Sequence, residues 1–216
     1  MKVGIIGTGV VGNAIGTKLV QLGHEVKMGS RVANNEKAVT WVKTNGGKAS
    51  QGSFAEAAAF GEMVFNCTKG EISVDALKLA GADNLAGKVL VDVSNPLDFS
   101  KGMPPFLTPS LSNTNSLGEE IQKTFPNAKV VKALNTMNCN LMVNPKMVAG
   151  DHDVIICGND ITAKVKVADM LQTFGCTEVL DLGDITAARA TEMLLPIWVR
   201  LMMKYQNPNF NFKIVK

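Results

Sequence analysis

The sequence predicts an α/β protein: a doubly wound, mostly parallel sheet with a small C-terminal α/β extension. Three observations carry this. Short, nearly all-apolar runs alternate with runs of helical periodicity along most of the chain, the pattern of strands buried on both faces and joined by crossover helices. A glycine-rich turn, Gly7-Thr8-Gly9-Val10-Val11-Gly12, closes the first apolar run and opens the first helical one. The chain has 216 residues, 46% hydrophobic and 19% charged, enough for one packed domain with an appendage and too apolar for a disordered chain.

Taken in order, Lys2 to Ile6 reads as a buried strand. Val10 to Leu22 reads as a helix, with Val11, Ile15, Leu19 and Leu22 at helical spacing and Gly23 ending it. Glu25 to Met28 is a second strand, residues 35 to 44 a polar helix, and Lys48-Ala49 the start of a weak third strand. Ser53 to Glu56 has capping-box spacing before an alanine-rich helix. Met63 to Cys67 is a fourth strand, Ser73 to Ala80 a helix, and Val89 to Val93 a fifth strand broken by Asn95-Pro96. Residues 97–115 read as a long loop, the kind that often carries function in a compact domain. Ser116 to Glu119 repeats the capping-box spacing and opens a helix to Phe125, and Val130 to Leu134 is a sixth strand. Residues 138–151 read as irregular. Val154 to Cys157, Ala163 to Thr173 and Val179 to Leu182 give a further strand, helix and strand. Ala187 to Lys204 reads as one long helix kinked at Pro196, and the alternation of Phe210, Phe212 and Ile214 as a half-buried strand.

Composition excludes several functions. No apolar run approaches the ~18 residues of a membrane span, and the N-terminus lacks the features of a signal peptide. A net charge of +3 with dispersed bases argues against a dedicated nucleic-acid binder. Cys67, Cys139, Cys157 and Cys176 form no C-x-x-C pair, and His24 and His152 do not supplement them at ligand spacing. Neither a zinc site nor a disulfide framework is expected, the thiols read as packing residues, and the expected location is cytoplasmic.

The glycine turn fits G-x-G-x-x-G in its proper context, after a buried strand and before an amphipathic helix. This makes the expected fold Rossmann-type and the ligand a dinucleotide. Gly7 permits the tight turn, Gly9 leaves room for a pyrophosphate and Gly12 lets helix and strand approach. Free amides at the helix start, with the positive end of its dipole, face the phosphates. NAD sites usually carry an acidic residue ~20 positions on. This chain has Gly29-Ser30-Arg31 instead. Ser30 offers a hydroxyl and Arg31 a guanidinium fork to a 2′-phosphate, and a charge-assisted bond of about 1.5–3 kcal/mol gives roughly 10- to 100-fold preference for NADP. Ligands in this fold sit at the carboxyl ends of the strands. Thr68-Lys69-Gly70, Ser94-Asn95-Pro96 and Asn135-Thr136-Met137 are therefore expected to line the nicotinamide half.

Further segments recur in order with these: Val-Val-Lys-Ala-Leu-Asn-Thr at 130–136, Cys-Gly-Asn-Asp at 157–160 with Lys164, and Leu182-Gly183-Asp184 with Ala188-Arg189 and Glu192. Together they resemble the coenzyme F420-dependent NADP oxidoreductase family over essentially the whole chain, and are similar to the dinucleotide-binding domains of the STEAP metalloreductases. The resemblance implies hydride transfer between NADPH and a flavin-like or deazaflavin (F420-type) ring. It also implies NADP contacts from Thr8, Val10, Val11, Ser30, Arg31, Thr68 and the Asn135 segment. Two turns depart from the family: Thr68-Lys69-Gly70 stands where a Thr-Ile-Pro-like turn is usual, and Asn135-Thr136-Met137-Asn138 where a His-Thr-Ile-Pro-like turn is usual.

Such a transfer needs two rings held face to face without water, and no catalytic acid is assigned. Other nucleotide enzymes fit less well. Four residues after Tyr205, the single tyrosine, stands Asn209 rather than the lysine of the short-chain dehydrogenases. The alternative is a non-catalytic NADP(H)-binding sensor or interaction protein. Residues 1–137 are expected to form the NADP-binding domain, and 138–216 an extension completing the acceptor cleft. The apolar last helix implies a homodimer interface or, alternatively, a helix covered on one side by the tail.

Overall fold

A computed structural model describes residues 1–215; Lys216, the last residue of the expected extension, lies outside the described residues. The first half runs β1 (Lys2–Ile6), α1 (Val10–Gln21), β2 (Glu25–Ser30), α2 (Glu36–Asn45), β3 (Ala49–Ser53), α3 (Phe54–Phe60), β4 (Met63–Asn66), α4 (Gly70–Ala80), α5 (Ala82–Leu85) and β5 (Val89–Asp92). A two-stranded antiparallel hairpin follows, β6 (Leu97–Asp98) with β7 (Phe106–Leu107). Then come α6 (Leu117–Thr124), β8 (Lys129–Ala133), α7 (Cys139–Val143), β9 (Asp153–Gly158), α8 (Ile161–Phe174), β10 (Glu178–Asp181), α9 (Ala188–Met193) and α10 (Leu195–Tyr205).

Eight strands form one sheet in the order β10-β9-β8-β5-β4-β1-β2-β3. Neighbours pair parallel except β8 and β9, which run antiparallel with Lys132 opposite Cys157. The cause is the connection between them. The five-residue α7 packs near α1 and does not carry the chain back along the sheet, so β9 is entered from the end at which β8 was left. Alternate residues on the central strands serve opposite faces. Ile5, Phe65, Val91 and Val131 pack with Leu19, Trp41 and Leu171 on one side. Ile6, Val64, Leu90 and Val130 pack with Phe54, Leu77 and Ile121 on the other. That two-sided burial is why these strands read as continuous apolar runs.

Four segments differ from expectation. The stretch 97–115 is not all loop, since it holds the β6–β7 hairpin and a 3-10 turn at Pro109–Leu111. The stretch 138–151 contains α7 and a 3-10 turn at Pro145–Met147. The long last helix is two helices: α9 ends at Met193, and Pro196 sits in the first turn of α10, where its missing N–H costs nothing. The tail is not a strand. Both edges of β9 are occupied by β8 and β10, so the tail crosses its start instead. Asp153 donates its amide to the Phe212 carbonyl at 3.0 Å, and Phe210 stacks on Trp198 with ring centroids 5.4 Å apart.

Candidate nucleotide site and a buried charge cluster

The order of the sheet reverses around β1: β2 and β3 lie on one side, β4, β5 and β8 on the other. The crevice outside such a reversal is where this architecture binds ligands. The turn after β1 occupies it. Gly7 has φ 120°, a conformation that side chains disfavour, and a Cβ there would lie 2.8 Å from the Cys67 carbonyl oxygen. A Cβ on Gly12 would lie 2.2 Å from the Gly7 carbonyl oxygen. At Gly9 a Cβ would meet nothing within 4 Å. The turn is thus closed beneath Gly7 and Gly12 and open at Gly9. Gly9 is also the N-cap of α1 and supplies no side-chain cap, so the first amides of that helix have no intrahelical acceptor. Thr8 is half-buried beside them, and Val10 is exposed.

The Gly7 amide donates to the Gly29 carbonyl at 3.0 Å, which places Gly29-Ser30-Arg31 next to the glycine turn. Arg31 is exposed and makes no ion pair among the described residues. Ser30 is buried, and its hydroxyl donates to the Val32 carbonyl. Its proton is engaged within the chain, unlike the free donor expected from sequence.

On the other side, the Cys67 amide donates to the Ile6 carbonyl at 2.9 Å. The Thr68 hydroxyl donates to Asn66 Oδ1 at 2.7 Å. Lys69 is exposed at the N-cap of α4, and its ammonium lies 4.0 Å from the Glu71 carboxylate. Asn95 and Asn135 are joined reciprocally. Asn95 Nδ2 donates to the Asn135 carbonyl at 2.8 Å and Asn135 Nδ2 to Asn95 Oδ1 at 2.9 Å. Thr136 is buried beside them. Leu134, at the end of β8, has φ 61°, a strained conformation for a branched side chain. The structure thus gathers Gly7 to Gly12, Thr68, Lys69, Asn95, Asn135 and Thr136 along the edge formed by the carboxyl ends of β1, β4, β5 and β8, with Ser30 and Arg31 at the far side of the glycine turn.

Sequence reasoning missed what lies beneath that edge. Lys132 and Asp92, paired across β8 and β5, are fully buried, and Glu192 of α9 is 1% exposed. The Lys132 ammonium donates to Asp92 Oδ2 at 2.8 Å, to Glu192 Oε1 at 2.7 Å and to the Ser94 carbonyl at 2.6 Å. Asp92 Oδ1 accepts from Asn66 Nδ2 at 2.9 Å and from the Ser94 hydroxyl at 2.6 Å. Glu192 also accepts the amides of Leu117 and Gly118, at 2.8 and 3.0 Å. Burial alone would lower Lys132, but Asp92 and Glu192 outweigh it and hold the ammonium above the ordinary lysine range. Burial drives the Glu192 carboxyl above its ordinary range, with Lys132 pulling against it. The available signal was a charged residue inside each of two apolar runs, Val-Leu-Val-Asp and Val-Val-Lys-Ala. Three thiols are packed away: burial raises Cys67, lifts Cys157 to about 12 and Cys176 to about 11, so none is a ready nucleophile.

The sheet order and the glycine turn define an α/β protein of the Rossmann type. The family model described as NADP oxidoreductase, coenzyme F420-dependent, matches residues 2–96. A crystal structure from Arthrobacter sp. FB24, described provisionally as an F420-dependent NADP reductase, is 51% identical over the whole of both chains, with a TM-score of 0.94. The chain belongs to the coenzyme F420-dependent NADP oxidoreductase family. The F420-dependent NADP reductase of Methanocaldococcus jannaschii is 26% identical, with 99% of this chain and 98% of that one covered. Metalloreductase STEAP3 of Rattus norvegicus is 34% identical over 203 residues, 91% of this chain; the chain spans 38% of the length of that relative. Among the described residues no helix is long and apolar enough to cross a membrane.

Proposed function

We propose that the chain is an NADPH-dependent oxidoreductase that moves a hydride between NADP(H) and a flavin-like or deazaflavin acceptor. Family membership supports the reaction class. The observation that carries the coenzyme is the end of β2, where Gly29 is tied to the glycine turn and the next two residues offer a hydroxyl and an exposed cation rather than a carboxylate. The glycine turn fits the group: open space at Gly9 and uncapped amides at the start of α1 suit a pyrophosphate.

In this reading Gly7 makes the turn, its own amide being held by Gly29, Thr8, Gly9, Val10, Val11 and Gly12 hold the pyrophosphate through backbone amides, and Arg31 with Ser30 holds the 2′-phosphate. Ser30 reaches it only by turning its hydroxyl away from Val32. Thr68, Lys69, Asn95, Asn135 and Thr136 line the nicotinamide half. When bound, NADPH supplies the hydride. The chain's own task is to fix both rings and keep water out. Residues 1–137 make the nucleotide half, and 138–215 complete the acceptor cleft. The protein is a cytoplasmic homodimer paired through α10 and acts on small molecules, with neither nucleic acid nor membrane as a partner.

The test is NADPH oxidation by the purified chain against F420, FMN, FAD, quinones and ferric chelates. Turnover with a flavin or deazaflavin is expected. Tight NADPH binding with no turnover on any of these acceptors would replace the reading with that of a nucleotide-binding sensor.

A further inference from the structure

We propose that the buried Glu192–Lys132–Asp92 cluster is a positioning device for the nicotinamide half of the cleft, through which α9 sets the spacing of the turns after β4, β5 and β8. The proposal rests on the nucleotide-binding reading above. None of the three side chains is exposed, so none touches a ligand, and any influence passes through what they hold.

The connections are complete. All three protons of the Lys132 ammonium are used, on Asp92, Glu192 and the Ser94 carbonyl. Asp92 in turn accepts the Ser94 amide at 3.1 Å, the Ser94 hydroxyl and Asn66 Nδ2. The other end of the Asn66 side chain accepts the Thr68 hydroxyl. The turn after β4 and the turn after β5 therefore hang on one carboxylate. Asn95, next to Ser94, is bonded reciprocally to Asn135, which brings in the turn after β8. Gly70 is pressed against the same place, since a Cβ there would lie 2.0 Å from the Asn95 carbonyl oxygen. Glu192 is the one member from the C-terminal part, and its other acceptor positions are filled by the first amides of α6. Ionised, the cluster holds two carboxylates against one ammonium. A buried arrangement of this kind is poor evidence of stabilisation, because hydrophobic packing of similar volume often does as well. A geometric role accounts for it better. Among the described residues, neither Ser30 nor Arg31, at the adenosine end of the cleft, is hydrogen-bonded to a member of the cluster.

The separation of the two ends supplies the test. Glu192→Gln keeps the side-chain shape and leaves Lys132 and Asp92 as a neutral pair. Binding of 2′,5′-ADP, which reports only the adenosine end, is expected to stay within twofold of wild type. NADPH affinity is expected to fall about tenfold, and kcat with F420 or FMN at saturating NADPH by at least as much. Should Glu192→Gln fail to fold, the triple variant Asp92→Asn, Lys132→Met, Glu192→Gln leaves no buried charge and is expected to show the same split. NADPH affinity and kcat within twofold of wild type would overturn the proposal, as would an equal loss for NADPH and 2′,5′-ADP, the mark of a merely structural role. A wild-type chain that binds neither ligand would instead overturn the functional reading, and this proposal with it.

Discussion

Arg31 and the glycines of the first turn carry the sharpest consequences for single side chains. Arg31→Ala removes one exposed guanidinium and, in the proposed reading, a charge-assisted bond to the 2′-phosphate. Screening by water and salt keeps such a bond near the low end of its range, so NADPH affinity is expected to fall roughly tenfold while NADH affinity barely changes. Titrations with both coenzymes decide it, and equal losses would remove Arg31 from the selectivity argument. Gly9→Val adds bulk where a Cβ meets nothing within 4 Å. It should leave the melting temperature nearly unchanged and abolish nucleotide binding. Gly12→Ala should do the reverse first, losing stability, because its methyl group falls 2.2 Å from the Gly7 carbonyl oxygen. Such demands were legible because they are local: a turn, an approach and an open position recur at fixed spacing. Lys132, Asp92 and Glu192 were not legible as a group, because their meeting depends on strand pairing and on a helix 60 residues further along the chain than Lys132 (192 − 132).

Helix starts show both sides of the same contrast. At Ser53 the capping box forms fully: the Ser53 amide donates to Glu56 Oε2 at 2.7 Å and the Glu56 amide to Ser53 Oγ at 3.2 Å. Ser53→Ala is expected to cost about 1 kcal/mol and lower the melting temperature by about 2–4 °C. A calorimetric shift near zero would show that β3 and the packing of α3 hold this helix without its cap. At Ser116 the same spacing gives only half the motif. Ser116 Oγ accepts the Glu119 amide at 3.1 Å, but the Glu119 carboxylate turns to the Ser116 hydroxyl and to Arg189 of α9. Tertiary partners had first claim on it, and sequence spacing cannot register that. The strands β1, β4, β5 and β8 were legible because both faces are buried. The direction of β9 was not, because it follows from the short path through α7; nor was the division of α9 from α10, where Pro196 falls in a first turn rather than mid-helix; nor the path of the tail, because β8 and β10 already fill both edges of β9.

At the scale of the whole molecule, one sheet runs unbroken from β3 to β10, and two places in the last third of the chain carry consequences for the whole. One is the tail. Asp153 accepts the Ile214 amide at 2.6 Å and the Lys213 ammonium at 3.2 Å. Burial works to raise this carboxyl, but those two donors prevail and hold it below the ordinary aspartate range. A depressed folded value means the contribution is present above the unfolded pKa of about 4 and is lost as pH falls through the lower folded one. Pepsin should therefore trim the tail increasingly as pH falls below about 4, and Asp153→Asn should be trimmed already at that pH. Trimming that ignores both pH and the substitution would mean the Trp198–Phe210 stack alone holds the tail. The second place is α10, which has two apolar sides. The tail covers one, through Phe210 on Trp198; Met193 at the end of α9, Ile197 and Met203 remain exposed on the pair of helices, Ile197 by 51%. Shielding an isoleucine half removed from water is worth about 1 kcal/mol in each copy, and two-fold pairing repeats the gain across the axis. If α10 is the dimer contact, light scattering should give twice the chain mass for wild type and the single-chain mass for Ile197→Lys at the same concentration, with the far-ultraviolet dichroism unchanged. A monomeric wild type would remove the dimer, and a dimeric Ile197→Lys would move the contact elsewhere.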